Sequence, residues 1–499
     1  IRDESLRLVG SEMCIRDSLL TAHCFLDSLW RWLTELPFLA LPGECKSLLV
    51  SYYYCVYISS MKRSRVPTTR FGRLARLGFT MGELAIGGAA EGVRRLAGSK
   101  PEDARNVFLT ATNARKLARR LASMRGAAMK MGQILSMESE DFLPPEFAAA
   151  LAILRDSANT MPLSQIRGVM GREYGKGWED RFIDFDYQPV AAASIGQVHR
   201  AVTEDGRELA LKIQYPGVAK SINSDVDNMA MLMRVVRLMP VEIDIAGIVA
   251  ETKRQLHQEA DYIVEAEYLR AYRELVQDES RFVVPKVHDD LTTRRILAMD
   301  YVEGLPLESL GDEGVSQQTR DSVGSLLEHL LFRELFEFRT MQTDPNFANY
   351  LYQPEGDRIV LLDFGSTVTF EKEFTRRYAR IARAMIDGDD VATRRLAEQM
   401  GYLDVEGSDA YAARLLDMIK LISEPVIQGG VYDFGDSDLF ARGRDAGLSM
   451  FFEDMSEYQV PPPETIFLHR KLVGSFMLCS RIGARVNVQE LILPFLPAA

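Results

Sequence analysis

Two short strings, close together in the second half of the chain, constrain its architecture more than any other feature. Gln342-Thr343-Asp344-Pro345-Asn346-Phe347-Ala348-Asn349 is followed by the apolar run Ile359-Val360-Leu361-Leu362, which ends in Asp363-Phe364-Gly365. An acid with an asparagine five residues on, then a second acid delivered by a buried strand, is the spacing at which phosphoryl-transfer sites set a base and two magnesium ligands. Asp344 is the candidate that orients or deprotonates a nucleophile. Asn349 and Asp363 are the candidate Mg²⁺ ligands, Asp363 bridging the ion that holds the β- and γ-phosphates of ATP. Turn chemistry alone explains Asp-Pro-Asn and Asp-Phe-Gly, but it does not explain what lies upstream.

There, Ala191-Ala192-Ala193-Ser194-Ile195-Gly196-Gln197-Val198 has the layout of a kinase glycine-rich loop with alanines at the first two glycine positions. It makes Ala191, Ala192, Ala193, Ser194, Gly196 and Val198 candidate nucleotide-cradling residues. A strand-like run to Val202, the tight-turn pair Asp205-Gly206 and a second strand through Lys212 complete a hairpin. A lysine in an apolar strand is costly to bury unpaired, so phosphates and one carboxylate are its expected partners. The candidate helix for that carboxylate runs from about 246 to 277. Glu259 and Glu265 both qualify, and Glu259 is modestly preferred, because on one helical wheel it shares a stripe with Tyr262, Ile263, Ala266 and Leu269. Alanine in the loop carries a Cβ where the backbone must approach phosphates, which predicts altered rather than absent nucleotide binding.

These elements predict an α+β, two-lobed protein-kinase-like fold with an N-terminal helical extension. The extension spans 61–176, with a break at Pro144-Pro145; the small antiparallel lobe spans 177–302 and the mostly helical large lobe 303–499. Strands near Val283 and from Arg295 to Tyr301 close the small lobe at Glu303-Gly304, a hinge where the Tyr301 and Val302 backbones are candidates to pair with adenine. Val323 to Phe338 has a helical period. A second Asp433-Phe434-Gly435 follows Gly429-Gly430 instead of an apolar strand and reads as a loop.

With those strings in view, the chain resembles the UbiB family of atypical kinases, protein-kinase-like ATPases associated with ubiquinone (coenzyme Q) biosynthesis. The likeness runs from about Met61 to the C-terminus. It rests on the alanine-rich loop, the E-x-D string Glu259-Ala260-Asp261, Gln342-Thr-Asp-Pro-Asn with Asn349, Asp363-Phe-Gly, and Lys130-Met131-Gly132-Gln133, which matches the family's K-x-G-Q signature. Taken alone, Lys130 and Gln133 lie in helical sequence (Leu121, Met124, Ala128, Met131, Leu135 in one stripe) and would be a solvated face. The resemblance implies instead that they belong to the catalytic apparatus, pointing into the cleft and restraining phosphotransfer to proteins. ATP hydrolysis or small-molecule phosphorylation then becomes the expected activity. Consistent with this, the sequence after Gly365 runs directly into a helix, with no Ala-Pro-Glu and no room for a long activation loop. Two other classes stay open: a protein kinase held off by its own extension, and a nucleotide-responsive lipid- or protein-binding module with negligible turnover.

Composition sets outer limits. A net charge of −12 argues against nucleic acid as the main partner. A local basic run, Lys62-Arg63-Ser64-Arg65 through Arg70, Arg73 and Arg76 to Arg94-Arg95, suits either an anionic membrane surface or a plain basic terminus. The partners implied by the resemblance are ATP, anionic membrane lipid and quinone-biosynthesis proteins, and a homodimer is left open. Peripheral attachment to a bacterial inner membrane from the cytoplasm is expected, or a mitochondrial site in a eukaryote. Residues 1–60 hold four of the five cysteines, and Val9 to Ser18 resembles translated adapter sequence, so Met61 is the expected native start. Pro37, Pro42, Glu44 and Lys46 interrupt the apolar runs there short of a membrane span. The remaining Cys479 implies a reducing compartment.

Overall fold

The structure, a computed structural model, describes residues 160–193, 195–235, 246–403, 408–453 and 463–498. The chain divides into two units, Ile1–Ser60 and Met61–Ala499, and every described residue belongs to the second. The read-through segment, the basic run, the helical extension up to 159, Lys130, Gln133 and Ser194 lie outside the described residues.

Helix α1 (Leu163–Glu173) leads into β1 (Phe182–Phe185), β2 (Ala191–Ala192), β3 (Gly196–Thr203) and β4 (Glu208–Gln214). Then come α2 (Val218–Val235), α3 (Ala246–Glu259), α4 (Tyr262–Leu275), β5 (Phe282–Val283) and β6 (Ile296–Asp300). The first sheet has the order β1-β3-β4-β6, antiparallel throughout, with β2 folded back on β3. Its β3–β4 turn is the predicted one, with Gly206 at φ 82°, a conformation that Asp-Gly pairs supply at little cost. Leu209, Leu211 and Ile213 of the central strand are fully buried, each contributing about 1.5–3 kcal/mol relative to exposure.

The predicted single helix from 246 to 277 is in fact two. Asp261 is extended and its side chain accepts from the Ile263 amide, capping α4, while the Tyr262 amide is drawn to the Arg294 carbonyl. Aspartate at an N-cap is favourable, and it resets the helical phase. The buried face of α4 is therefore Tyr262, Glu265, Ala266, Leu269 and Tyr272, and Ile263, assigned to the inner stripe by the sequence reading, is exposed.

The second half is mostly helical, as expected. It contains β7 (Leu305–Pro306), α5 (Gln317–Phe332), β8 (Thr340–Gln342), β9 (Tyr350–Gln353), β10 (Arg358–Leu361), β11 (Thr367–Thr369) and α6 (Lys372–Ile386). These are followed by α7 (Asp390–Gln399), α8 (Asp409–Ile422), α9 (Glu424–Ile427), β12 (Tyr432–Asp433), α10 (Leu439–Glu453), α11 (Pro463–Ile482), β13 (Arg485–Val486) and α12 (Val488–Ile492). The predicted helix Val323 to Phe338 is α-helical to Phe332 and a π-helical turn over Arg333–Phe338. Strand β5, assigned by sequence to the small lobe, pairs in parallel with β10 in the second sheet, whose order is β5-β10-β9-β7. The second Asp-Phe-Gly is also more ordered than a loop: Tyr432 and Asp433 pair with Val486 and Arg485, and the Asp433 carboxylate takes the Arg485 side chain at 2.7 Å.

Candidate active site

Lys212 sits in the middle of β4, opposite Val198 on one side and Leu297 on the other. Its ammonium donates to Glu265 Oε1 at 2.6 Å and to Asp363 Oδ2 at 2.8 Å. Burial works against that charge, but the Asp363 and Glu265 carboxylates outweigh it and hold the lysine well above its ordinary pKa. Burial pushes the Glu265 carboxyl up to about 7, and Lys212 pulls against that rise. The lysine partner is thus Glu265, not the preferred Glu259. Once Asp261 breaks the helix, Glu265 is the acid on the buried face.

Glu259 is nonetheless close by. It is buried at the end of α3, accepts from the Ser366 hydroxyl, and lies with Glu265 around Gly365, where an added Cβ would stand 3.4 Å from Glu259 Cγ and 3.7 Å from Glu265 Oε2. Asp363 projects beyond β10. Its Oδ1 accepts from the Gly365 amide at 2.9 Å, and Phe364 is buried against the Tyr272 ring of α4, centroids 4.4 Å apart. Phe364 and Glu265 therefore both rest on the inner face of α4, so the helix that holds the lysine's partner also holds the Asp-Phe-Gly turn.

Asp344 and Asn349 are placed by side chains that bind the loop back on itself. Gln342 Nε2 donates to the Asp344 carbonyl at 2.8 Å and Asn349 Nδ2 donates to the same carbonyl at 2.9 Å. The Leu362 amide donates to the Asn349 carbonyl at 3.0 Å, which sets Asn349 beside the strand end carrying Asp363. Asp363 and Asn349 present hard oxygen donors of the kind Mg²⁺ takes together with phosphate and water. No group of three or more His, Cys, Asp or Glu side chains suited to a metal occurs among the described residues, and a nucleotide-borne Mg²⁺ does not require one.

The alanine-rich segment forms a tight hairpin over this region. Ala191 pairs with Val198, Ala192 with Gln197, and the Ala193 amide donates to the Gly196 carbonyl at 2.9 Å. Gly196 is glycine for packing: a Cβ there would lie 2.6 Å from the Ile213 carbonyl oxygen and 2.7 Å from the Tyr262 hydroxyl. At the hinge the Tyr301 amide already donates to the Glu208 carbonyl at 2.9 Å. That amide is not available to adenine, so the expectation narrows to the Tyr301 carbonyl and the Val302 backbone, which no hydrogen bond engages among the described residues.

Sequence reading missed the contribution of α11. Arg470 Nη2 donates to Asp344 Oδ1 at 2.9 Å, and Lys471 reaches Tyr350 at 3.1 Å, Gln342 at 3.3 Å and Glu334 at 3.4 Å. The adjacent pair Arg470-Lys471 inside the mostly apolar stretch Ile466 to Leu478 was the available signal. No helix among the described residues is long and apolar enough to cross a membrane.

The ABC1 atypical kinase-like domain matches residues 153–397. The rat protein "Atypical kinase COQ8B, mitochondrial" is 36% identical over 87% of this chain and 82% of its own length. The budding-yeast "Atypical kinase COQ8, mitochondrial" is 35% identical over 87% and 86%. The chain belongs to the UbiB (ABC1) family of atypical kinases. Among solved structures, Rv3197 of Mycobacterium tuberculosis in complex with erythromycin superposes with a TM-score of 0.53 at 26% identity, over 77% of this chain and 96% of that one. UbiB membership makes this a kinase- or ATPase-type enzyme with a two-lobed kinase-like fold, as the motifs predicted.

Proposed function

We propose that the protein is a Mg²⁺-dependent ATPase or small-molecule kinase that supports synthesis of an isoprenoid quinone at a membrane surface. The observation that carries the catalytic part is the Lys212 ammonium held between Glu265 and Asp363, 2.6 and 2.8 Å away, with the Asp344–Asn349 loop bonded to the residue preceding Asp363. When bound, Mg²⁺ would supply charge neutralisation between the β- and γ-phosphates, held by Asp363 and Asn349. Lys212 would exchange its Asp363 contact for phosphate oxygen while keeping Glu265. The alanine hairpin would cover the phosphates, and the Tyr301–Val302 backbone would receive adenine. Asp344 would orient the attacking hydroxyl or water.

The quinone role rests on the relatives named COQ8 and COQ8B, both called mitochondrial, and an inner-membrane setting, mitochondrial or bacterial, is part of the same proposal. Peripheral attachment through anionic lipid fits the absence of a spanning helix among the described residues. Lys130 and Gln133 would screen the cleft from protein acceptors. The test is ATP hydrolysis by the purified full chain with Mg²⁺, with and without anionic vesicles, beside Asp363→Asn. Loss of turnover in the variant is expected, and full activity in it would remove the assignment.

A further inference from the structure

We propose that Arg470 is the positioning residue for Asp344, a guanidinium delivered to the catalytic loop by the C-terminal helix. The inference rests on the reading of Asp344 as the group that orients the nucleophile. In H-R-D loops an arginine immediately precedes the aspartate. Here that position is Thr343, fully buried, with its hydroxyl donating to the Ser366 carbonyl at 2.7 Å, so no local cation is available. Arg470, 126 residues further along, lies 2.9 Å from Asp344 Oδ1, and the two side chains are only 9% and 12% exposed. A charge-assisted contact this shielded from water is worth more than a surface pair and fixes the carboxylate's rotation.

Two other residues of α11 serve the same contact. Gly474, one turn beyond Arg470, is where the helix meets the loop, since a Cβ there would overlap the Pro345 ring. Lys471, itself buried, ties Gln342 and Tyr350 on either side of Asp344 to the helix. Gln342 in turn donates to the Asp344 carbonyl. Helix and loop thus share one polar seam with Asp344 at its open end. Arg470 steers the carboxylate toward the nucleophile and compensates its charge.

The experiment uses the full chain and the variants Arg470→Gln and Arg470→Lys, with Mg²⁺–ATP turnover, affinity for a non-hydrolysable ATP analogue and thermal melting measured on each. Arg470→Gln should lower kcat about 30–300-fold and leave analogue affinity within about twofold, since the contact is to the orienting acid and not to the phosphates. Arg470→Lys, which restores a cation within reach of the carboxylate, should recover most of kcat. A kcat for Arg470→Gln within about threefold of the parent overturns the proposal, as does a loss of analogue affinity equal to the loss of kcat. If Arg470→Gln does not fold, Arg470→Met, which keeps the aliphatic stem without the charge, takes its place under the same two criteria. Absent turnover in the parent protein, by contrast, would fault the proposed function and not this contact.

Discussion

Lys212 Nζ and Glu265 Oε1 stand 2.6 Å apart at the centre of the small lobe, with side chains 8% and 1% exposed. Removing Glu265 leaves the buried ammonium with Asp363 as its carboxylate partner. Glu265→Ala should therefore cost about 1–3 kcal/mol of stability, and Lys212→Met in the same chain should return part of it. Chemical denaturation of the two single variants and the double variant measures the coupling.

Asp363 both receives Lys212 and turns the chain through the Gly365 amide. Asp363→Asn keeps the size and the acceptor for that amide but loses the anionic charge a magnesium ion needs. Turnover should fall by roughly 10²-fold or more, and the melting temperature should fall as well, because the buried ammonium then keeps only Glu265 as a carboxylate partner. Steady-state ATP hydrolysis across a Mg²⁺ titration checks this, and a variant rescued by high Mg²⁺ would point to a weaker metal role.

The small residues at two helix positions make a matched pair. Gly474→Ala drives a methyl into Pro345 and should cost about 1–3 kcal/mol while slowing turnover through the displaced loop. Gly443→Ala in α10 has no atom within 4 Å of the new Cβ and should stabilise by about 0.5–1 kcal/mol with activity unchanged. Melting curves and kcat for the two variants test the contrast.

Glu328 of α5 gives a pH dependence remote from the cleft. Burial pushes its carboxyl to about 7 from an ordinary 4.5, against the opposing hydrogen bonds from Ser475 and Cys479. Below about pH 4.5 both folded and unfolded chains carry the proton and the group is neutral for stability. Between 4.5 and 7 the unfolded chain releases it first, so stability declines as pH rises, by on the order of 3 kcal/mol, and levels off above 7. Glu328→Gln should flatten that slope. Denaturation midpoints at pH 5 and pH 8 for parent and variant decide it.

The parts of the fold that were legible in the sequence are those set by local pattern. The Asp-Gly turn, the lysine strand and the apolar strand before Asp363 each announce themselves within a few residues, and the structure brings Lys212 and Asp363 together. The choice between Glu259 and Glu265 failed because it assumed one continuous helix. Both acids are buried, and the N-cap aspartate shifts the phase by enough to turn Glu265 rather than Glu259 toward Lys212, although Asp261 before an apolar-periodic run is itself a readable start signal. The crossing of β5 into the second sheet and the reach of Arg470 to Asp344 depend on residues far apart in sequence, where no local periodicity reports the contact.

The seam between α11 and the Asp344 loop has a consequence for how such genes are judged competent. Every string by which a phosphotransfer site is usually recognised lies before residue 366, yet the guanidinium that meets Asp344 arrives about a hundred residues later. A natural shortened isoform or frameshifted copy ending ahead of that helix would keep those strings while losing Arg470, Lys471 and the buried side chains Leu468, Phe476 and Ile482 that pack the helix in place.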